Sequence, residues 1–324
     1  MLWQDEFDRQ KFRADEIQYT LPKKNKLLRR IKMKTTTNNT LSSNRSKPSR
    51  IGLTLTLTAV FLCSLVASTS AQTLVCGPAL VQISAGTTQV WGLDGHGNVY
   101  QYNGTCFVQK HGALAQIAVG KGKNVWGLNA SQAIYQYDFK TKEWVNIPGA
   151  LVQIAVGGAG VWGINASGQI WYYNGTEFVQ FTNGTVPIGR YIAVGANQPW
   201  VIDTSNNVWL YNTNTGFFDQ VEFAQLTQIA VGGALEAWGV NGSQQIWEYD
   251  VKTEQFEEVN GHLVQVSLTN KADIWGINAS GAAYKFVKGK FEQQGTVVHF
   301  VQISAGAPTS GAWAITKAGA IYKF

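Results

Sequence analysis

The stretch from Leu151 to Phe178, LVQIAVGGAGVWGINASGQIWYYNGTEF, constrains this chain more than any other feature, because nearly all of residues 72–324 is a copy of it. It divides into four short runs: Gln153-Ile154-Ala155-Val156, Val161-Trp162-Gly163-Ile164, Ile170-Trp171-Tyr172-Tyr173 and Phe178-Val179-Gln180-Phe181. Runs of this length, rich in β-branched and aromatic residues and separated by Gly and Asn, predict a meander of antiparallel strands. No stretch of the region carries a helical apolar period.

Sliding the unit along the chain places its first-strand aliphatic at Ile83, Ile117, Ile154, Ile192, Ile229, Val266 and Ile303, spacings of 34, 37, 38, 37, 37 and 37 residues. Each copy has a Trp on its second run (Trp91, Trp126, Trp162, Trp200, Trp238, Trp275, Trp313) and an aromatic on its third (Tyr100, Tyr135, Trp171, Trp209, Trp247, Tyr284, Tyr322). A fixed period of this size with four strands per unit predicts an all-β fold, a β-propeller of seven four-stranded blades. The last copy stops after its third strand at Phe324. The missing strand is expected from residues 72–79, QTLVCGPA, which align with VNIPGA at 145–150, since both precede Leu-Val-Gln-Ile or its equivalent. Pairing the two ends would close the ring and leave only short protected edges. Small first-strand residues such as Ala118, Ala155, Ala193 and Ala230 suit the crowded axis. The aromatics, each able to bury about 150–250 Å², suit the wedges between blades and form a core that needs no cofactor.

The net charge of +6 suggests a basic protein, but residues 1–50 hold 13 Lys and Arg against 5 Asp and Glu, and residues 51–71 hold no charge. The repeat region keeps 13 basic against 15 acidic side chains. A nucleic-acid binder concentrates its cations on the binding fold, so no nucleic-acid partner is expected. Residues 51–71, uncharged, apolar and ending Thr69-Ser70-Ala71, read as a signal peptide cleaved after Ala71. Residues 1–50 read as a basic leader, and initiation at Met33 would shorten it to ordinary size. Secretion follows, with no stable membrane insertion after cleavage. The alternative is a type II membrane anchor, for which a stretch diluted by Thr and Ser is a marginal span. Cys63 would leave with the signal, and Cys76 and Cys106 remain as an expected disulfide in an oxidising compartment.

The four histidines (His96, His111, His262, His299) lack metal-ligand spacing, and no nucleophile elbow or phosphate loop occurs. No metal, cofactor or enzymatic activity is expected.

The pattern L-V-Q-I-A-V-G … V-W-G-I-N-A-S … I-Y-x-Y resembles the tectonin repeat of the tectonin, tachylectin-1 and fish-egg lectins, over the whole of 72–324. The resemblance implies a secreted, multivalent lectin of innate immunity that binds microbial or cell-surface glycans, as lipopolysaccharide or methylated and N-acetylated sugars. It also implies about six blades, so six stands as the alternative to the seven copies counted.

A glycan site needs an aromatic face and a few fixed polar groups. The turn after the second strand carries Asp94, Asn129, Asn165, Asp203, Asn241 and Asn278, with Thr316 as the exception. With the third-strand Tyr100, Tyr135, Trp171, Trp209, Trp247 and Tyr284, these are the candidate carbohydrate-binding residues. The structural alternative is that Asn and Asp make the turn and the aromatics are core. The fourth copy, with Trp200-Val201-Ile202-Asp203 in place of Trp-Gly-x-Asn, is expected to be the least competent. Asn103, Asn129, Asn165, Asn174, Asn183, Asn241 and Asn278 begin N-x-S/T sequons and are candidate glycosylation sites, four of them in the same copied turn. A propeller serving as a protein-interaction platform is the alternative function.

Overall fold

Each run of the repeat forms a strand because its β-branched and aromatic side chains fit a pleated, half-buried surface, and each Gly or Asn cluster between runs forms a turn. In a computed structural model describing residues 72–306 and 311–324, the third blade consists of Gln153–Gly157, Gly160–Ile164, Ile170–Tyr173 and Phe178–Gln180. These strands pair antiparallel in sequence order. Six sheets repeat that order, and the seventh joins Phe300–Ala305, Ala312–Thr316 and Ile321–Lys323 to the N-terminal strand Thr73–Val75. The protein is an all-β propeller of seven four-stranded blades, so the six-blade alternative is set aside. The proposed leader and signal, with Met33 and Cys63, lie outside the described residues. Among the described residues no helix is long and apolar enough to cross a membrane.

The ring closes through the register Thr73↔Lys323, Leu74↔Tyr322 and Val75↔Ile321. A disulfide joins Cys76, just beyond this strand, to Cys106 at the start of the outer strand of the first blade, with Cα atoms 4.8 Å apart. The covalent link therefore crosses the seam between the last blade and the first.

The core lies between blades. Each second-strand Trp packs on an aromatic two positions beyond the candidate residue of the next blade's third strand: Trp91 on Tyr137 at 4.8 Å, Trp126 on Tyr173 at 4.8 Å, Trp200 on Tyr249 at 4.9 Å, Trp238 on Phe286 at 4.8 Å and Trp313 on Tyr102 at 4.7 Å between ring centroids. Trp162 with Tyr211 and Trp275 with Phe324 complete the seven, at 5.6 and 5.3 Å. Six of these Trp side chains are at most 1% exposed and Trp162 is 7% exposed, which makes the Trp of strand two core.

The Gly after the Trp has a steric reason. A Cβ at Gly163 would lie 2.4 Å from Leu151 Cδ1, the leucine that opens the blade. Gly92, Gly127, Gly239 and Gly276 meet their own leucines at the same 2.4 Å. The seventh blade has Phe300 and Ala314 at these two positions, and the fourth exchanges the sizes, with Gly189 where five blades have Leu and Val201 where they have Gly, and both are buried. Its departure from the motif is thus a volume-conserving swap.

Around the axis, glutamines on the first strands link neighbours. Gln82 Oε1 accepts the Ile117 N–H at 2.9 Å, Gln116 that of Ile154 at 2.9 Å, Gln153 that of Ile192 at 2.9 Å, and Gln228 that of Val266 at 3.0 Å. Gln265 accepts from Ile303 at 2.9 Å and Gln302 from Ile83 at 2.8 Å, the latter across the seam. These bonds satisfy backbone donors on inner-strand edges that have no further strand to pair with.

Candidate functional site

The turn after the second strand is built on its first residue. Asn129 Oδ1 accepts the backbone N–H of Ser131 and Ala133, Asn165 those of Ser167 and Gln169, and Asn241 those of Ser243 and Gln245, all at 2.9–3.1 Å. Asn278 accepts from the Ala282 N–H and the Ser280 hydroxyl. At Thr316 the hydroxyl takes over one of these roles and accepts the Ala320 N–H. The geometry is an Asx-turn, and it engages the side-chain oxygen of each residue. The amide nitrogens differ: Nδ2 of Asn165 and Asn241 donates to Oε1 of Gln169 and Gln245, and that of Asn278 to the Tyr284 hydroxyl.

Asp94 and Asp203 use the same turn and add acceptors. Asp94 Oδ2 receives Asn98 Nδ2 and the Tyr100 hydroxyl, and Asp203 Oδ2 receives Asn207 Nδ2 and the Trp209 indole N–H at 2.9 Å. Burial pushes both carboxyls up, but four donors on each outweigh it and hold their pKa below the ordinary value. Asp94 in turn raises the pKa of Tyr100, second to the phenol's own burial.

Each third-strand candidate follows its turn residue by six positions and lies opposite the small residue after the Trp: Tyr100↔Gly92, Tyr135↔Gly127, Trp171↔Gly163, Trp247↔Gly239 and Tyr284↔Gly276, with Val201 opposite Trp209. All six are half-buried. The turn and the aromatic meet through a hydrogen bond at Asp94–Tyr100, Asp203–Trp209 and Asn278–Tyr284, and Asn241 and Trp247 line one groove. The Trp171 and Trp247 indole nitrogens are buried without a hydrogen-bond partner, where that of Trp209 has Asp203.

Among the sequons, Asn103, Asn174 and Asn183 are exposed, whereas Asn129, Asn165, Asn241 and Asn278 are half-buried in their turns. Among the described residues no group of His, Cys, Asp or Glu is arranged to hold a metal.

A groove of about 410 Å³ runs between the fourth and fifth blades. It contains Trp247 and Asn241 of the candidate set, and also Phe223, Gln220, Gln225 and Asn207, which sequence reasoning did not single out. The signal was there to read. Where other copies end the fourth strand in His111-Gly112-Ala113, Pro148-Gly149-Ala150 or Asn260-Gly261-His262, this one has Glu222-Phe223-Ala224-Gln225.

A model of the Tectonin domain matches residues 70–185 and 189–324. Tectonin-1 of Physarum polycephalum is 33% identical over 60 residues, covering 18% of this chain and 28% of that protein. Solved propellers are similar in fold at low identity. They include YCF48 from Cyanidioschyzon merolae, with TM-score 0.60 and 13% identity over 79% of this chain and 98% of that one. U3-55K gives a TM-score of 0.62 and 8% identity over 78% and 98%.

Proposed function

This chain belongs to the tectonin family, and from that premise we propose that it is a secreted, non-catalytic lectin that holds glycans at several blades at once. The observation that carries the reading is the recurrence of one unit: a hydrogen-bonded Asx-turn followed, six residues on, by a half-buried aromatic. An aromatic face takes the apolar side of a pyranose and nearby amides take its hydroxyls. Weak sites repeated around a rigid ring multiply avidity through effective concentration, with no strong single site required. Microbial-surface or cell-surface glycans, including lipopolysaccharide and methylated or N-acetylated sugars, are the ligands to try first. Secretion rests on residues 51–71 and agrees with the Cys76–Cys106 disulfide.

A glycan array on residues 72–324 tests the reading. Changing Asn129, Asn165, Asn241 and Asn278 together to Asp keeps the turn acceptor, as Asp94 and Asp203 already demonstrate, but replaces the amide donors and abolishes four sequons. The variant should melt at or above the parent temperature and lose at least tenfold in avidity for the glycans bound by the parent. A parent protein that binds nothing on the array but captures a defined protein partner would replace the lectin with an interaction platform.

A further inference from the structure

The bulge in the outer strand of the fourth blade carries the most exposed large hydrophobic side chain among the described residues. In the first, second and fifth blades the outer strand bulges by two residues before rejoining its partner, between Lys110 and Ala113, Ile147 and Ala150, and Val259 and His262. The second bulged residue is Gly112, Gly149 or Gly261, each with positive φ. In the fourth blade three residues bulge, between Val221 and Gln225. Phe223 there has φ +59°, in the left-handed region that a Cβ disfavours. Its side chain is 91% exposed, more than any other large hydrophobic among the described residues. Ala224 beside it is buried in the core. The ring of Phe223 thus adds nothing to packing, while its backbone geometry suits glycine better, and backbone strain of this kind concentrates where side chains are placed for function.

The surroundings identify what such a ring could meet. Phe223 stands at the groove of about 410 Å³, within the size range of small-ligand sites. Trp247 lines the same groove, and the polar lining is amide: Asn207, Gln220, Gln225 and Asn241. No lining residue is charged. The Gln220 and Gln225 side chains make no hydrogen bond among the described residues, which leaves both amides free to donate and accept.

We propose that the groove between the fourth and fifth blades is a distinct saccharide subsite, in which a neutral sugar stacks on Phe223 and is held through its hydroxyls by Gln220 and Gln225. The inference rests on the lectin reading and deepens it: beside the weak repeated sites the ring has one stronger site, selective for uncharged sugars because nothing in it offsets a charge.

The test is titration calorimetry of residues 72–324 with chitotriose and maltotriose as neutral probes and 3′-sialyllactose as a charged one. The parent should bind a neutral probe with a stoichiometry near one in its tighter phase and bind the charged probe at least tenfold more weakly. Phe223→Gly, which relieves the left-handed conformation, should melt at or above the parent temperature and lose that phase tenfold or more. Gln220→Ala with Gln225→Ala should weaken it similarly. If Phe223→Gly binds like the parent while the four-Asn variant loses binding, the subsite is overturned and the lectin reading stands. If the parent binds no probe and no array glycan, both fall.

Discussion

Whether the residue that opens a turn is Asp or Asn decides the state of an indole N–H six positions later. Asp203 gives the Trp209 indole an acceptor, while Asn165 and Asn241 point the same edge toward a glutamine and leave Trp171 and Trp247 unsatisfied. Hydrogen bonds to a charged group contribute about 1.5–3 kcal/mol, so Asp203→Asn should destabilise the ring by about that much at neutral pH. The Asp203 pKa is held below the unfolded value of about 3.9. Its stabilisation is therefore fully present above that value and disappears as pH falls through the folded pKa. Urea denaturation at pH 7 and at about pH 3 should show the gap between parent and Asp203→Asn narrowing in acid; a gap that stays constant would mean the carboxylate charge is not what holds Trp209. Asn165→Asp should give the converse, a gain at neutral pH that acid removes.

At the scale of the strand, the inner edge of each blade depends on a side chain from its neighbour. Gln153 illustrates this, accepting the Ile192 N–H and donating through Nε2 to the Ile192 carbonyl at 3.2 Å. Ser84, Ser267 and Ser304 add a second acceptor at their junctions, for Val119, Ala305 and Ala85. At the junction of the fourth and fifth blades Tyr191 stands in place of the glutamine, its pKa raised by burial. Replacing Gln153 by Leu keeps approximate volume but leaves the backbone N–H of the buried Ile192 without its acceptor, which costs about 1–3 kcal/mol. Chemical denaturation should register that loss, and hydrogen exchange should locate it as faster exchange at the Ile192 amide. Unchanged protection at Ile192 would show that the belt is incidental to stability.

For the whole ring, the seam is where the two chain ends meet, and three devices hold it. The N-terminal strand pairs with Ile321–Lys323, Gln302 bonds to Ile83, and the disulfide joins Cys76 to Cys106. Its sequence separation of 30 residues places its removal at about 2–4 kcal/mol. Cys76→Ser with Cys106→Ser should lower the denaturation midpoint accordingly and make the N-terminal strand the first segment to exchange. A midpoint indifferent to both the double substitution and reductant would show that strand pairing alone closes the ring.

Strand identity, blade number and closure by the N-terminal strand were all legible in residues 72–324, because each depends on local pattern: alternation, turn residues and a count of copies. The Asx-turns were legible for the same reason, since Asn165 bonds no farther than Gln169. Cys76 and Cys106 could be paired from composition, and with residues 72–79 read as the last blade's missing strand their bond to the first blade was legible too. What only the tertiary structure decided lies between blades, among residues far apart in the chain: the glutamine belt, the Trp91–Tyr137 type of stack, and the groove that gathers Phe223 and Trp247. A repeat specifies its own hairpins, whereas side chains at a blade boundary acquire partners only when the ring forms and fixes the angle between neighbouring sheets.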